Sequence, residues 1–184
     1  ATTSTWSVVS GAGSIADPNN IVADYQPAAG EVGTVTLELT ASDPSSCPDV
    51  VDYVDIGINP LAIVEAGSDQ VICEGENALL SDATRSGGAN SVTWSGGSGG
   101  TFVPNATTLN ATYVPHTSET GTTVRLYLTS NDPAGPCDPA KDSLDITINV
   151  APTVYAGTDK VICENDSIQL SDATFGGSAT TVIW

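Results

Sequence analysis

The sequence is poor in the side chains that most chemistry requires. It has one histidine, four basic residues (Arg85, Arg125, Lys141 and Lys160), no methionine and ten aromatic rings in 184 residues. Against those four cations stand 22 acidic side chains, for a formal net charge of −18. A phosphate backbone is held by clustered Lys and Arg, so this balance argues against a nucleic-acid partner, and against an anionic membrane surface for the same reason. No apolar run approaches the roughly 20 residues of a membrane-spanning helix. With a single histidine, His116, neither a Ser-His-Asp triad nor a histidine-rich metal site is expected. His116 lies in the turn-like stretch Pro115-His116-Thr117-Ser118 and reads as an exposed loop residue. The lack of methionine marks the chain as a processed product or a piece of something longer.

Cysteine is also sparse. Cys47, Cys73, Cys137 and Cys163 include no C-x-x-C pair, which argues against zinc ribbons and thioredoxin-type motifs. Widely spaced cysteines in an acidic chain rich in Thr and Ser point to disulfides in an oxidising compartment.

What the sequence does have is a repeat. Residues 65–94 and 155–184 align without a gap at 16 identical positions of 30, pairing Cys73 with Cys163 and Trp94 with Trp184. The remainder repeats as well. Trp6 corresponds to Trp94, Tyr25 to Tyr113, Asp43-Pro44 to Asp132-Pro133, and Cys47 to Cys137. Asp55-Ile56-Gly57-Ile58-Asn59 corresponds to Asp145-Ile146-Thr147-Ile148-Asn149, so the period is 88–90 residues. Residues 61–150 form a complete unit, 1–60 the back of the unit before it, and 151–184 the front of the unit after it.

Within the complete unit the hydrophobic period is two. Leu144, Ile146, Ile148 and Val150 share one face of a strand, as do Val124, Leu126 and Leu128, and Val92 with Trp94. Val35, Leu37 and Leu39 repeat the pattern in the first unit. Turn-rich stretches at 87–90, 96–100 and 131–136 separate these runs, and no stretch has the periodicity of an amphipathic helix. About seven short strands in about 90 residues predict an all-β fold of tandem immunoglobulin-like β-sandwiches. Trp6, Trp94 and Trp184 are expected in the cores.

Cys73 and Cys137 fall in the same unit, and their pairing is expected. The bridge would close a 65-residue loop and stabilise the unit by roughly 4 kcal/mol in the chain-entropy model. Cys47 and Cys163 would then pair with cysteines of adjacent repeats or chains. The junctions at 58–61 and 148–153 are short and contain proline, with no Gly/Ser tether, so a stiff rod is expected.

Several segments together carry a resemblance: Ala-Gly-[Ser/Thr]-Asp-x-Val-Ile-Cys-Glu at 66–74 and 156–164, Leu-Ser-Asp-Ala-Thr at 80–84 and 170–174, Val-Thr-Trp-Ser-Gly-Gly-Ser-Gly-Gly-Thr-Phe at 92–102, Ala-Thr-Tyr-Val-Pro at 111–115, and Leu-Tyr-Leu-Thr-Ser-Asn-Asp-Pro at 126–133. Over its whole length the chain resembles PKD-like repeats of very long Bacteroidota surface proteins, including gliding-motility adhesins exported by the type IX system. The resemblance implies β-sandwich modules displayed outside the cell in tandem, serving adhesion or surface filaments. It carries over no catalytic residue. It also makes Asp142-Ser143-Leu144 and Asp166-Ser167-Ile168 candidate O-glycosylation sequences, at Ser143 and Ser167.

The acidic residues allow two readings. Asp69 and Asp159 recur beside the junctions, and Asp82 and Asp172 recur in the Ser-Asp-Ala-Thr turn, so these four are calcium candidates. In the competing reading Asp favours turns by bonding its local backbone, and the charge keeps a surface protein soluble. Gly96-Gly97-Ser98-Gly99-Gly100 lacks the Gly-Lys-[Ser/Thr] and helix of a phosphate loop and reads as a strand connection. Asn105, Asn110 and Asn165 match the N-glycosylation sequon, a match that arises by accident in Thr- and Ser-rich chains.

Three functional classes follow. The first is a non-enzymatic structural or adhesive repeat of an extracellular, cell-surface protein, whose expected partners are adjacent repeats of the same or neighbouring chains, and surface glycans or other cells. The second is a filament subunit in which 151–184 of one chain completes 1–60 of the next by strand exchange, with Cys163 pairing to Cys47. The third is a carbohydrate-binding module, which requires exposed aromatic platforms.

Overall fold

The structure, a computed structural model, describes residues 3–42, 47–131, 136–181 and 183. Trp184 and residues 43–46 and 132–135 lie outside the described residues. The fold class read from the sequence is observed. The described elements are β-strands and one 3-10 turn, and no helix is long and apolar enough to cross a membrane. The chain divides into two compact units, one holding residues up to 62 together with the segment around Cys137, the other holding 63–131 and the chain from 139 onward.

The first unit contains β1 (Thr3–Ser10), β2 (Ser14–Ala16), β3 (Asp24–Gln26), β4 (Gly33–Ser42) and β5 (Val50–Ile58). β1, β4 and β5 form an antiparallel sheet in that order, and β2 pairs with β3. Val35 and Leu37 are its buried apolar side chains, as their alternation requires.

The second unit contains β6 (Ala62–Glu65), β7 (Gln70–Cys73), β8 (Ala78–Leu79), β9 (Thr84–Gly87), β10 (Val92–Gly96), β11 (Thr101–Val103), β12 (Thr112–Val114), β13 (Thr123–Ser130) and β14 (Lys141–Asn149), followed by the β15 (Thr153–Tyr155) and β16 (Thr174–Gly176) pair. One sheet runs β10-β13-β14-β7 and the other β11-β12-β8. The aromatic rings link them: Trp94 of β10 stacks on Phe102 of β11 at 6.2 Å, and Phe102 meets Tyr113 of β12 at 5.2 Å. Trp94, Leu126, Leu128, Leu144, Ile146 and Ile148 are buried from one sheet, and Ala78, Leu80 and Tyr113 from the other side. This is a β-sandwich whose inner faces carry the period-two residues.

Nine strands stand where about seven were expected. The extra division at the start of the repeat has a local cause. Gly67 has φ +97°, a conformation that L side chains rarely adopt, and it sits against Asp82. The chain breaks there, so β6 pairs with β9 while β7 crosses to join β14 in parallel. Val150, expected on the inner face, lies beyond the end of β14 and is exposed.

Candidate functional site

The most constrained polar group of the complete repeat is one that the sequence reading did not single out. His116 accepts a hydrogen bond from the Ser118 N–H and opens the 3-10 turn Thr117–Glu119. That turn places Glu119 inward, 1% exposed. Its carboxylate accepts from the His116 N–H at 2.9 Å and from the Ser98 N–H, and lies 2.8 and 2.9 Å from the Tyr113 hydroxyl. Burial would raise the carboxyl pKa, but the donors from Ser98, Tyr113 and His116 outweigh it and hold the group below its ordinary value. Burial and the adjacent carboxylate push the Tyr113 hydroxyl pKa well up.

The glycine-rich loop 96–100 belongs to this arrangement. It connects β10 to β11, as expected, and a Cβ at Gly97 or Gly100 would fall on the Tyr113 hydroxyl. The loop therefore wraps a carboxylate of its own chain. The first unit repeats the design. Tyr25 donates to Glu31 at 2.9 Å, and the N–H groups of Ala12 and Ala28 reach the same carboxylate at 2.5 and 2.9 Å. Both Tyr-x5-Glu pairs lie 88 residues apart. That recurrence was the available sequence signal.

The calcium candidates are not gathered. Asp69 accepts from the Asp145 N–H at 2.8 Å, and Asp145 is in turn held by Arg125 through two contacts of 2.7 Å. The Arg125 guanidinium keeps the Asp145 carboxyl pKa low. Asp172 accepts from the Thr158 N–H and hydroxyl at 2.9 and 2.8 Å, and pairs with Lys160 at 3.1 Å, contacts that lower its pKa. Asp82 and Asp159 are exposed. Among the described residues, no three His, Cys, Asp or Glu side chains converge on a metal-sized site. Ser143 is half-buried on β14, opposite Tyr127, and Ser167 is exposed. Asn105 closes its own turn, accepting from the Thr107 N–H at 3.0 Å. Trp94 is core, 2% exposed, with its indole N–H donating to the Leu109 carbonyl, whereas Trp6 is only partly buried.

The cysteine reading requires correction. All four cysteines are free thiols, and the expected Cys73–Cys137 bridge is not made. The topology gives the reason. Cys73 pairs with Asn149, the last residue of β14, while Cys137 precedes Lys141, its first. Those eight steps of strand cover about 26 Å. The four residues from Cys137 to Lys141 reach back at most about 14 Å. The remaining gap of about 12 Å exceeds the roughly 7 Å limit between the Cα atoms of a disulfide. Cys137 instead lies with the first unit, its Sγ 3.9 Å from the Asn59 carbonyl oxygen. Cys47 and Cys163 are exposed.

The two partial repeats expose what the complete one buries. Leu144 is 2% exposed and its counterpart Val54 is 43%. Leu80 is 1% exposed and its counterpart Leu170 is 51%. Val154, Tyr155, Ala173, Phe175 and Ile183 line an apolar cavity of about 330 Å³ in the last segment.

No protein-family model matches the chain, and no curated protein matches it. Among solved structures it is similar to mouse cadherin-23 EC22-24, at 17% identity and a TM-score of 0.47, covering 82% of this chain and 56% of that one. It is also similar to protocadherin gamma B2 extracellular cadherin domains 3-6, at 13% identity and a TM-score of 0.37, covering 96% of this chain and 48% of that one. The chain thus spans about half the length of these structures. At these identities nothing about partners or ligands transfers to it.

Proposed function

We propose that the chain is a segment of a non-enzymatic, extracellular structural or adhesive repeat protein, in which β-sandwiches provide length and surface. The observation that carries this reading is the repetition of the same internal scaffold. Tyr25–Glu31 and Tyr113–Glu119 are built alike in successive units, and their polar groups are occupied by their own backbone. Repetition of a module without a reactive constellation supplies reach rather than chemistry. The resemblance to PKD-like repeats supports display on a Bacteroidota cell surface, with type IX export and gliding adhesion as the specific setting. Adjacent repeats are the proposed immediate partners, and surface glycans or other cells the distal ones. Ser143 and Ser167 are proposed O-glycosylation positions. Calcium at Asp69, Asp82, Asp159 and Asp172 is carried as a secondary proposal, in which Asp69 and Asp172 keep the hydrogen bonds that they accept from their own chain.

The test is antibody labelling of intact source cells with serum raised against the 184-residue chain, with attachment measured before and after the serum is added. Surface labelling and reduced attachment are the expected results. Labelling only after cells are opened would overturn the reading.

A further inference from the structure

The two cysteine places of the repeat converge on one asparagine place. In the complete repeat Cys73 ends β7 and lies opposite Asn149, the last residue of β14. The next N–H along the chain, that of Glu74, donates to the Asn149 carbonyl at 2.8 Å. Asn59 holds the place of Asn149 one period earlier, because Asp55-Ile56-Gly57-Ile58-Asn59 corresponds to Asp145-Ile146-Thr147-Ile148-Asn149. The Asn59 carbonyl oxygen lies 3.9 Å from the Cys137 sulfur. One cysteine place therefore pairs with this asparagine from its own repeat, and the other reaches it from the repeat that follows.

We propose that the cysteine in the Cys73 place of each repeat forms a disulfide with the cysteine in the Cys137 place of the next. The inference rests on the reading of the chain as a segment of a tandem-repeat protein, and not on adhesion. The complete repeat supplies the register. A cysteine in the Cys73 place of the first repeat sits opposite Asn59, with its Cα about 4.8 Å away, the spacing of neighbouring strands. The Cα atoms of a disulfide stand about 4.4–6.8 Å apart, and a sulfur already beside Asn59 lies inside that reach.

The pattern uses each cysteine once. Cys47 and Cys137 hold one place, and Cys73 and Cys163 the other. Each repeat gives one thiol to the repeat before it and one to the repeat after it. None of the four is the partner of another, in keeping with the free thiols of this chain. Each bond forms as two thiols together give up two protons and two electrons to oxidised glutathione, which leaves as two reduced glutathione molecules. The linkage ties a sandwich to its successor and leaves none of its own strands cross-linked.

The test keeps the whole 184-residue chain and places a copy of residues 61–88 ahead of Ala1, in the frame that aligns Trp6 with Trp94. The first unit thereby gains a cysteine in the Cys73 place. The extended chain is held dilute in a glutathione redox buffer, and linked peptides are identified by mass spectrometry without reduction. A bond between the added cysteine and Cys137, within a monomer, is expected. Cys137→Ser is expected to abolish it, and Cys73→Ser and Cys163→Ser to leave it intact. A bond from the added cysteine to Cys47, its companion in the same sandwich, or to any other cysteine would overturn the proposal. Free thiols throughout the oxidation series would also overturn it. Amide exchange separates the two ways of failing. Added protection of the β5 amides without the bond overturns the linkage alone. β5 amides that exchange as they do in the unextended chain overturn the tandem-sandwich reading beneath it.

Discussion

The Tyr113 hydroxyl lies 2.8 and 2.9 Å from the two oxygens of the buried Glu119 carboxylate. The pair joins β12 to the 3-10 turn that follows it and fixes the glycine-rich loop above them through the Ser98 N–H. A buried carboxylate is tolerated only when its oxygens are met by donors, and here the backbone supplies them together with one phenol. Removing the hydroxyl leaves Glu119 one donor short beside the Ser98 and His116 N–H groups, and removing the carboxylate takes away the acceptor of the Tyr113 hydroxyl.

Tyr113→Phe is therefore expected to destabilise the complete repeat by about 1–3 kcal/mol, the cost of leaving a buried acceptor short of a donor. Urea unfolding followed by tryptophan fluorescence measures it. A change in midpoint within error of wild type would show that the hydroxyl contributes nothing.

Glu119 also predicts a pH dependence. Its folded pKa lies below its unfolded value, so the folded state binds fewer protons than the unfolded chain in that interval. The stabilisation is present above the unfolded pKa, near 4.3, and is lost as pH falls through the lower folded value. Asp145 and Asp172 titrate in the same direction, so the informative quantity is a difference between variants. Glu119→Gln is expected to flatten the fall in melting temperature between about pH 5 and pH 3. An equal slope in variant and wild type would refute the assignment.

Ile146 and Ile56 occupy the same place in two repeats, one fully buried and one half-buried. Ile146→Ala is expected to cost about 2–5 kcal/mol through lost burial and the cavity left behind. Ile56→Ala should cost less than half as much in the isolated chain. Thermal melts of the two variants, each scored by amide exchange in its own unit, test the contrast.

Gly97→Ala should be among the most damaging single-methyl additions. The residue has φ +73°, and its new Cβ would fall on the Tyr113 hydroxyl. A loss of at least about 1–3 kcal/mol is expected from strain and overpacking together. Gly75→Ala, also at positive φ but in open space, serves as the control and should cost only the backbone term. Equal losses in the two variants would mean that the hydroxyl contact adds nothing.

Much of the architecture was legible in the residues. The 88–90-residue period, the alternation of Leu144, Ile146 and Ile148, and the placement of Trp94 are local patterns, and burial of an alternating face fixes the strand and its inward side. The division of the first strand was less visible, because it depends on the positive φ of Gly67 and on its approach to Asp82 from another part of the chain.

The sequence by itself determined the all-β repeat, its period and its core faces, since these follow from side-chain alternation and from self-similarity along the chain. Only the tertiary structure decided which groups meet. It put Glu119 beneath the glycine-rich loop, and it put Cys73 at the far end of β14 from the approach of Cys137. Membership of one repeat suggested that those cysteines pair. Distance along a rigid strand forbids it, because about 26 Å of β14 separates the ends they occupy.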